Sequence, residues 1–224
     1  MNTTKSEFQK RISEINIYFE TLEMLDRGEC RIVCQTLIGE EEIMHIDSEL
    51  SKILKANGFI LLYNLIESTV RKSIDAILNV VKDEGLTYRA LSDKLKKLWI
   101  KQEIKNINAN EIGIKVLNIA ESILNNELLL LKQECITISG NIDAQKIREI
   151  AQAVGCDEPK DGAALKTIKD KRNHLAHGEY TFAEIGKEFS VKDLMTFKQK
   201  TEEHLKLVLT NVEEYINNKK YRVV

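Results

Sequence analysis

Apolar residues recur at steps of three and four along almost the whole chain. Near the N-terminus, Phe8, Ile12, Ile15, Phe19 and Leu22 alternate steps of four and three, which lays them on one helical stripe that a partner must cover. Asp26-Arg27-Gly28 closes that helix. A longer pattern over about 48–81 carries Ile53, Leu54, Leu61, Leu62, Leu65, Ile66, Ile74, Ile77, Leu78 and Val81 on a broad face, and is expected to be the central helix. A third segment, about 88–105, has Leu91, Leu95, Leu98 and Trp99 on its apolar side. Residues 106–110 read as a loop. Ile112, Val116, Ile119, Ile123 and Leu124, with Leu128 to Leu131, then predict a helix apolar enough to be largely buried. Ser139-Gly140-Asn141 is a break that supplies a capping residue, after which Ile142, Ile147, Ile150 and Val154 predict a short helix ended by Gly155. A loop from Cys156 to Gly162 leads to a helix anchored by Leu165 and Ile168. The last helix, about 190–217, carries Leu194, Phe197, Leu205, Val208, Val212 and Tyr215.

One proline, Pro159, in 224 residues fits this near-continuous helical period. The expected fold is all-α, an up-down helical bundle with additional helices and negligible strand, in a single domain over 1–224. With 43% hydrophobic and 30% charged residues the composition is that of a chain with a real core. No apolar run approaches the ~20 residues of a membrane span, so no membrane partner is expected. The first residues lack the apolar stretch and small-residue cleavage site of a secretory signal, and the expected location is cytoplasmic. Cys30, Cys34, Cys135 and Cys156 have neither zinc nor disulfide spacing.

A net charge of −2 argues against indiscriminate coating of nucleic acid. The charge is nevertheless uneven. Lys94, Lys96, Lys97, Lys101 and Lys105 surround Trp99, an arrangement that could let the indole stack on a base, although tryptophan at helical spacing is more often core. Lys166, Lys169 and Lys171 precede Arg172, and Glu40, Glu41, Glu42, Asp47 and Glu49 form an acidic block. Glu67 and Arg71 are spaced for a surface ion pair. The alternative is that Glu67 turns inward and orients Arg172.

The chemistry is concentrated in Lys166-Thr167-Ile168-Lys169-Asp170-Lys171-Arg172-Asn173-His174-Leu175-Ala176-His177-Gly178. Two of the chain's four histidines lie here; His45 and His204 are assigned to structure or surface. Basic residues before a glycine are also what an ordinary helix C-terminus displays. Arg172, however, lies six residues before Gly178, too far back to serve the last turn, and Leu175 and Ala176 supply apolar contacts beside the polar groups. Residues five apart on an ideal helix are about 140° and about 7.5 Å apart. Arg172 and His177 therefore share a site only if the helix has unwound by His177, or if a second copy completes it.

The spacing Arg172-x4-His177, with the polar Asn173 directly after the arginine, resembles the R-x4-6-H signature of the HEPN superfamily (higher eukaryote and prokaryote nucleotide-binding domains). The wider succession of Ile138 to Asp143, Lys146 to Ile150, Leu165 to Lys169, Arg172 to Gly178 and Thr181 to Gly186 is similar to the prokaryotic MAE-type branch. The resemblance covers the last hundred residues well and the first hundred through helix layout. It implies a homodimer in which two motifs meet in one cleft, and metal-independent cleavage of RNA. There the ribose 2′-hydroxyl attacks the adjacent phosphate, leaving a 2′,3′-cyclic phosphate and a 5′-hydroxyl.

The residue types suit that reaction. Imidazole titrates near neutrality, so His177 can take or give the proton; Arg172 can stabilise charge on the phosphate; Asn173 can orient phosphate or His177. His174 is a possible auxiliary group that the family pattern does not require, and Lys169 and Lys171 are the expected RNA contacts. No cofactor and no metal are expected. His174-x-x-His177 could give two metal ligands, but no carboxylate or cysteine follows at a supporting spacing. The family context suggests the toxin or effector of a toxin–antitoxin or phage-defence system, with a cognate antitoxin as a possible partner. The alternative is a non-catalytic HEPN module that binds RNA, nucleotides or proteins.

Overall fold

The helical periodicity is realised as eight α-helices among the described residues: α1 (Asn2–Asp26), α2 (Ser48–Asp83), α3 (Asp93–Glu103), α4 (Ile112–Leu124), α5 (Ala144–Val154), α6 (Ala163–Ala176), α7 (Phe182–Lys187) and α8 (Val191–Asn217). The computed structural model describes residues 1–28, 32–35, 41–44, 47–105, 107–136 and 140–223. Cys30, Glu40, His45, Asn106, Ile138 and Ser139 lie outside them. The fold is all-α, with one addition to the expected elements. Strands β1 (Ile32–Gln35) and β2 (Glu41–Met44) pair antiparallel, Ile32 with Met44 and Val33 with Ile43. Isoleucine and valine are residue types that favour extended backbone, and the stretch is too short for a helical stripe.

The residues cluster into two compact units, each assembled from separate stretches of chain. The unit bearing the arginine–histidine motif comprises Ser6–Glu67 and Gly162–Glu203. In it the α1 stripe Phe8, Ile12, Ile15, Phe19 and Leu22 is buried throughout. Phe59, Phe189 and Phe197 form an aromatic cluster, the Phe59 and Phe189 rings meeting edge-to-face at 4.9 Å. Helix α7 begins with a capping box, in which the Thr181 hydroxyl accepts from the Glu184 amide and the Glu184 carboxylate accepts from the Thr181 amide. It then runs so close to α2 that a Cβ on Gly186 would lie 1.9 Å from the Lys52 carbonyl oxygen. Only glycine permits that approach.

The other unit comprises Met1–Lys5, Ser68–Asp161 and His204–Val224. Here α5 starts at Asp143, whose carboxylate accepts from the Lys146 amide, and stops at Gly155 in the left-handed region (φ +85°). The Tyr215 hydroxyl donates to the Val154 carbonyl at 2.8 Å. Near the C-terminus, the Ser92 amide donates to the Tyr221 carbonyl and the Val223 amide to the Ala90 carbonyl. The Arg222 guanidinium lies on the Glu84 carboxylate. Trp99 is buried against Tyr88, so it is core and no base-stacking platform.

Two expectations fail in this unit. Helix α4 ends at Leu124 rather than continuing, and no residue of it is buried. Residues 128–131 alternate instead: Leu128 and Leu130 face out, while Leu129 and Leu131 are buried. That is the period of an extended chain, and Leu128 forms an isolated bridge with Thr87.

Two outcomes follow from this packing. Gly186→Ala should lower stability by at least ~2 kcal/mol, because carbonyl and Cβ cannot both keep their places; a urea midpoint equal to wild type would refute the close approach. His204 is buried on α8, and burial pulls its pKa below the ordinary histidine value. Arg148 acts in the same direction, against the Lys160 backbone and Asp161. The folded state therefore prefers the neutral ring, and the stability this lends is complete above about pH 6.5 and lost as pH falls through the depressed folded value. The urea midpoint should decline below about pH 6.5, and His204→Leu should flatten that decline. An unchanged slope would assign it elsewhere.

Candidate functional site

Helix α6 is held by its apolar positions. Ala164, Leu165, Ile168 and Leu175 are buried, and Arg172 lies four residues beyond Ile168, close to the same stripe. Its guanidinium is therefore directed at protein rather than solvent. The guanidinium carbon sits 3.6 Å from the centre of the Tyr63 ring, on α2. One terminal nitrogen is 3.5 Å from Glu67 Oε2, and the other donates to Asn173 Oδ1 at 3.0 Å.

Tyr63 is fully buried, and it stands one turn before Glu67, so ring and carboxylate present themselves on one face of α2. Of the two roles open to Glu67 in the sequence, the structure has its carboxylate at Arg172. The Tyr63 contact has no counterpart among the sequence expectations. Its only sequence signal is the four-residue spacing to Glu67, which gains meaning once Glu67 is known to face α6.

The helix ends one residue after Leu175. His177 keeps helical dihedrals (φ −92°, ψ −2°) and its amide still donates to the Asn173 carbonyl at 2.9 Å. The turn comes at Gly178 (φ +68°). The Glu179 amide reaches back to the His174 carbonyl and the Gly178 amide to the Leu175 carbonyl, the paired bonds of a Schellman ending. The helix has therefore not unwound at His177, and its side chain leaves the axis about 140° round from Arg172. His177 is exposed.

His174 is engaged differently. Its Nδ1 meets Glu179 Oε2, and its ring stands edge-on to Tyr180 at 5.0 Å. The two imidazoles are thus distinct, one tied to a carboxylate and one open to solvent.

The expected RNA-binding lysines are paired. Lys171 forms an ion pair with Glu188 and lies over the Phe189 ring, while Lys169 lies 3.4 Å from Asp170. A phosphate would have to compete with those carboxylates. Lys166, on the same helix, is exposed. Among the described residues no group of three or more His, Cys, Asp or Glu side chains is placed to hold a metal ion. None of the described helices is long and apolar enough to cross a membrane.

The model of the MAE_28990-like HEPN family matches residues 2–221. The chain belongs to that family. The match spans nearly the whole sequence, including both units and the complete Arg172-to-His177 motif. No curated protein and no solved structure matches the chain. HEPN membership connects the chain with nuclease-type, RNA-related function.

Within the HEPN motif the structure holds the cation on one face of α6 and leaves the imidazole exposed on another, and the two should differ in what their removal does to the fold. Arg172→Ala strips a stacked, half-buried side chain from Tyr63 and removes the guanidinium from Glu67, an expected loss of about 1–2 kcal/mol. His177→Ala should stay within about 0.5 kcal/mol of wild type. Equal urea midpoints for the two variants would contradict the stacked geometry.

Proposed function

We propose that this HEPN chain is a metal-independent endoribonuclease that acts as a homodimer. The ribose 2′-hydroxyl attacks its neighbouring phosphorus, the 5′-oxygen leaves, and a 2′,3′-cyclic phosphate and a 5′-hydroxyl result. Arg172 neutralises charge building on the phosphoryl oxygens, and Asn173 keeps the guanidinium in plane. His177 moves the proton, from the 2′-hydroxyl or to the departing 5′-oxygen. His174 is an auxiliary group steadied by Glu179, and Lys169 and Lys171 flank the RNA path.

The observation that carries the dimer is the helical backbone at His177. One α6 presents Arg172 and His177 on different faces, so each catalytic set takes its arginine and histidine from different copies. We further propose that residues 1–224 act as one domain. Both units are built from interleaved stretches, and the boundaries at Lys5/Ser6, Glu67/Ser68 and Glu203/His204 fall inside α1, α2 and α8 rather than in linkers. The proposed setting is the cytoplasm, as toxin or effector of a toxin–antitoxin or phage-defence system with a cognate antitoxin.

One observation favours a second reading. Arg172 already has Glu67, Asn173 and Tyr63 around it, which a purely structural arginine in a non-catalytic RNA- or protein-binding HEPN module would also have. Total RNA incubated with the protein in excess chelator separates the two. The expected result is cleavage with cyclic-phosphate ends, abolished in Arg172→Ala and in His177→Ala. An equimolar mixture of the two inactive variants should regain activity, because one heterodimer holds an intact arginine and an intact histidine at the same cleft. Binding without cleavage would select the module reading, and cleavage by either single variant at the wild-type rate would remove the catalytic assignment.

A further inference from the structure

Helix α4 is the least expected surface of the molecule. It carries one cation and one anion, Lys115 and Glu121, in thirteen residues. Ile114, Val116, Leu117 and Leu124 are each more than half exposed, Leu124 by 69%. Leu128 and Leu130, just beyond the helix, also face out. Single exposed aliphatic residues are ordinary on a monomer, but a concentration of this kind in one short stretch marks an interaction surface.

The order of residues on the outward face says what fits it. Gly113, Leu117, Ala120 and Leu124 follow one another at steps of four, three and four, a single stripe along the helix. Lys115, Ile119, Ser122 and Ile123, on the opposite side, are the partly covered positions. A Cβ added at Gly113 would meet nothing within 4 Å, so the stripe faces open space. Small and large residues alternate along it. When the stripe is reversed and laid on a copy of itself, with the twofold axis between Asn118 and Ile119, Leu117 falls opposite Ala120 of the second copy. Leu124 then falls opposite Gly113. Each large side chain meets a small one, the condition for close antiparallel helix packing, and the contact is isologous. No charge lies on the stripe itself, and the exposed Glu121, one turn beyond Leu117, flanks it.

We infer that α4 is a self-association surface, pairing antiparallel with α4 of a second copy of this chain in the register that sets Leu117 against Ala120. The inference is separate from the motif dimer of the nuclease reading, because it concerns α4 and leaves Arg172 and His177 untouched.

Sedimentation equilibrium of the full chain tests it with two variants, Leu117→Glu and Ala120→Lys. Wild type should have at least twice the 25.7 kDa chain mass. Each variant alone should fall to half the wild-type mass or less, whether or not a contact at the motif adds further copies. Circular dichroism should be unchanged, since the stripe faces open space. An equimolar mixture should recover the wild-type mass, because the carboxylate introduced in one chain then faces the ammonium introduced in the other, while the second Leu117–Ala120 contact stays intact. Three results would each overturn the inference: a monomeric wild type at every concentration, wild-type mass in the Leu117→Glu chain, or a mixture that fails to recover. If one variant loses helicity, the other still reads the mass.

Discussion

The motif-bearing unit is organised by the placement of one cation, the Arg172 guanidinium over the Tyr63 ring. A guanidinium is weakly hydrated and planar, so it gives up less than an ammonium would when laid against an aromatic face. Stacking alone does not compensate a charge drawn away from water. Glu67 supplies the opposite charge at 3.5 Å, and Asn173 supplies an acceptor from α6 itself. The three contacts restrain different freedoms: the ring fixes the plane, the carboxylate fixes rotation within it, and the amide ties the head to its own helix. Lysine at this position would keep the charge and lose the plane.

The fixed head constrains His177 in turn. A mobile arginine could swing round the helix to meet the imidazole, but one stacked on Tyr63 at 3.6 Å cannot leave without exposing the ring face and giving up its ion pair with Glu67. The direction in which the His177 side chain leaves the helix is fixed as well. Its backbone remains helical, and the Schellman bonds from Gly178 and Glu179 pin the end of the turn. The Arg172 head and the His177 backbone are therefore both fixed, and they are fixed on different faces of α6. That separation is what the proposed dimer makes use of.

Much of this is legible in the sequence because the helices concerned are one-sided. The α1 stripe from Phe8 to Leu22, the Gly155 stop, the Leu165 and Ile168 anchors and the position of Arg172 relative to them all follow from period and end signals. The failures have physical causes. In α4 the polar residues Lys115, Asn118 and Ser122 share one side, yet Lys115 and Ser122 are among the partly covered positions, so the period does not say which side is covered, and hydrophobicity by itself does not distinguish a buried helix from an exposed one. The four-leucine run after α4 hides an alternation that identical residues cannot display. The hairpin lies in a stretch too short for either period to dominate. Tyr63 is invisible for another reason: its role depends on a contact between α2 and α6, and local spacing carries no information about which residue a distant helix brings over it. The pairing of Lys171 with Glu188 is of the same kind.

Two arginines brought together across a twofold axis would repel by about 1–4 kcal/mol at contact distance in effective dielectrics of about 80 to 20. Glu67 changes that balance. With a carboxylate beside each guanidinium, the facing surfaces are closer to neutral dipoles than to bare cations, and the penalty for approach shrinks before any RNA arrives. The same carboxylate weakens the pull of Arg172 on a ground-state phosphodiester, which carries one negative charge. It weakens the pull in the same proportion on a pentavalent phosphorus bearing additional charge, because both fixed charges act linearly on whatever charge the phosphate carries. In the proposed nuclease Glu67 would therefore not sharpen the preference for the charged transition state; what it supplies is position, a guanidinium already held in one orientation when the charge develops.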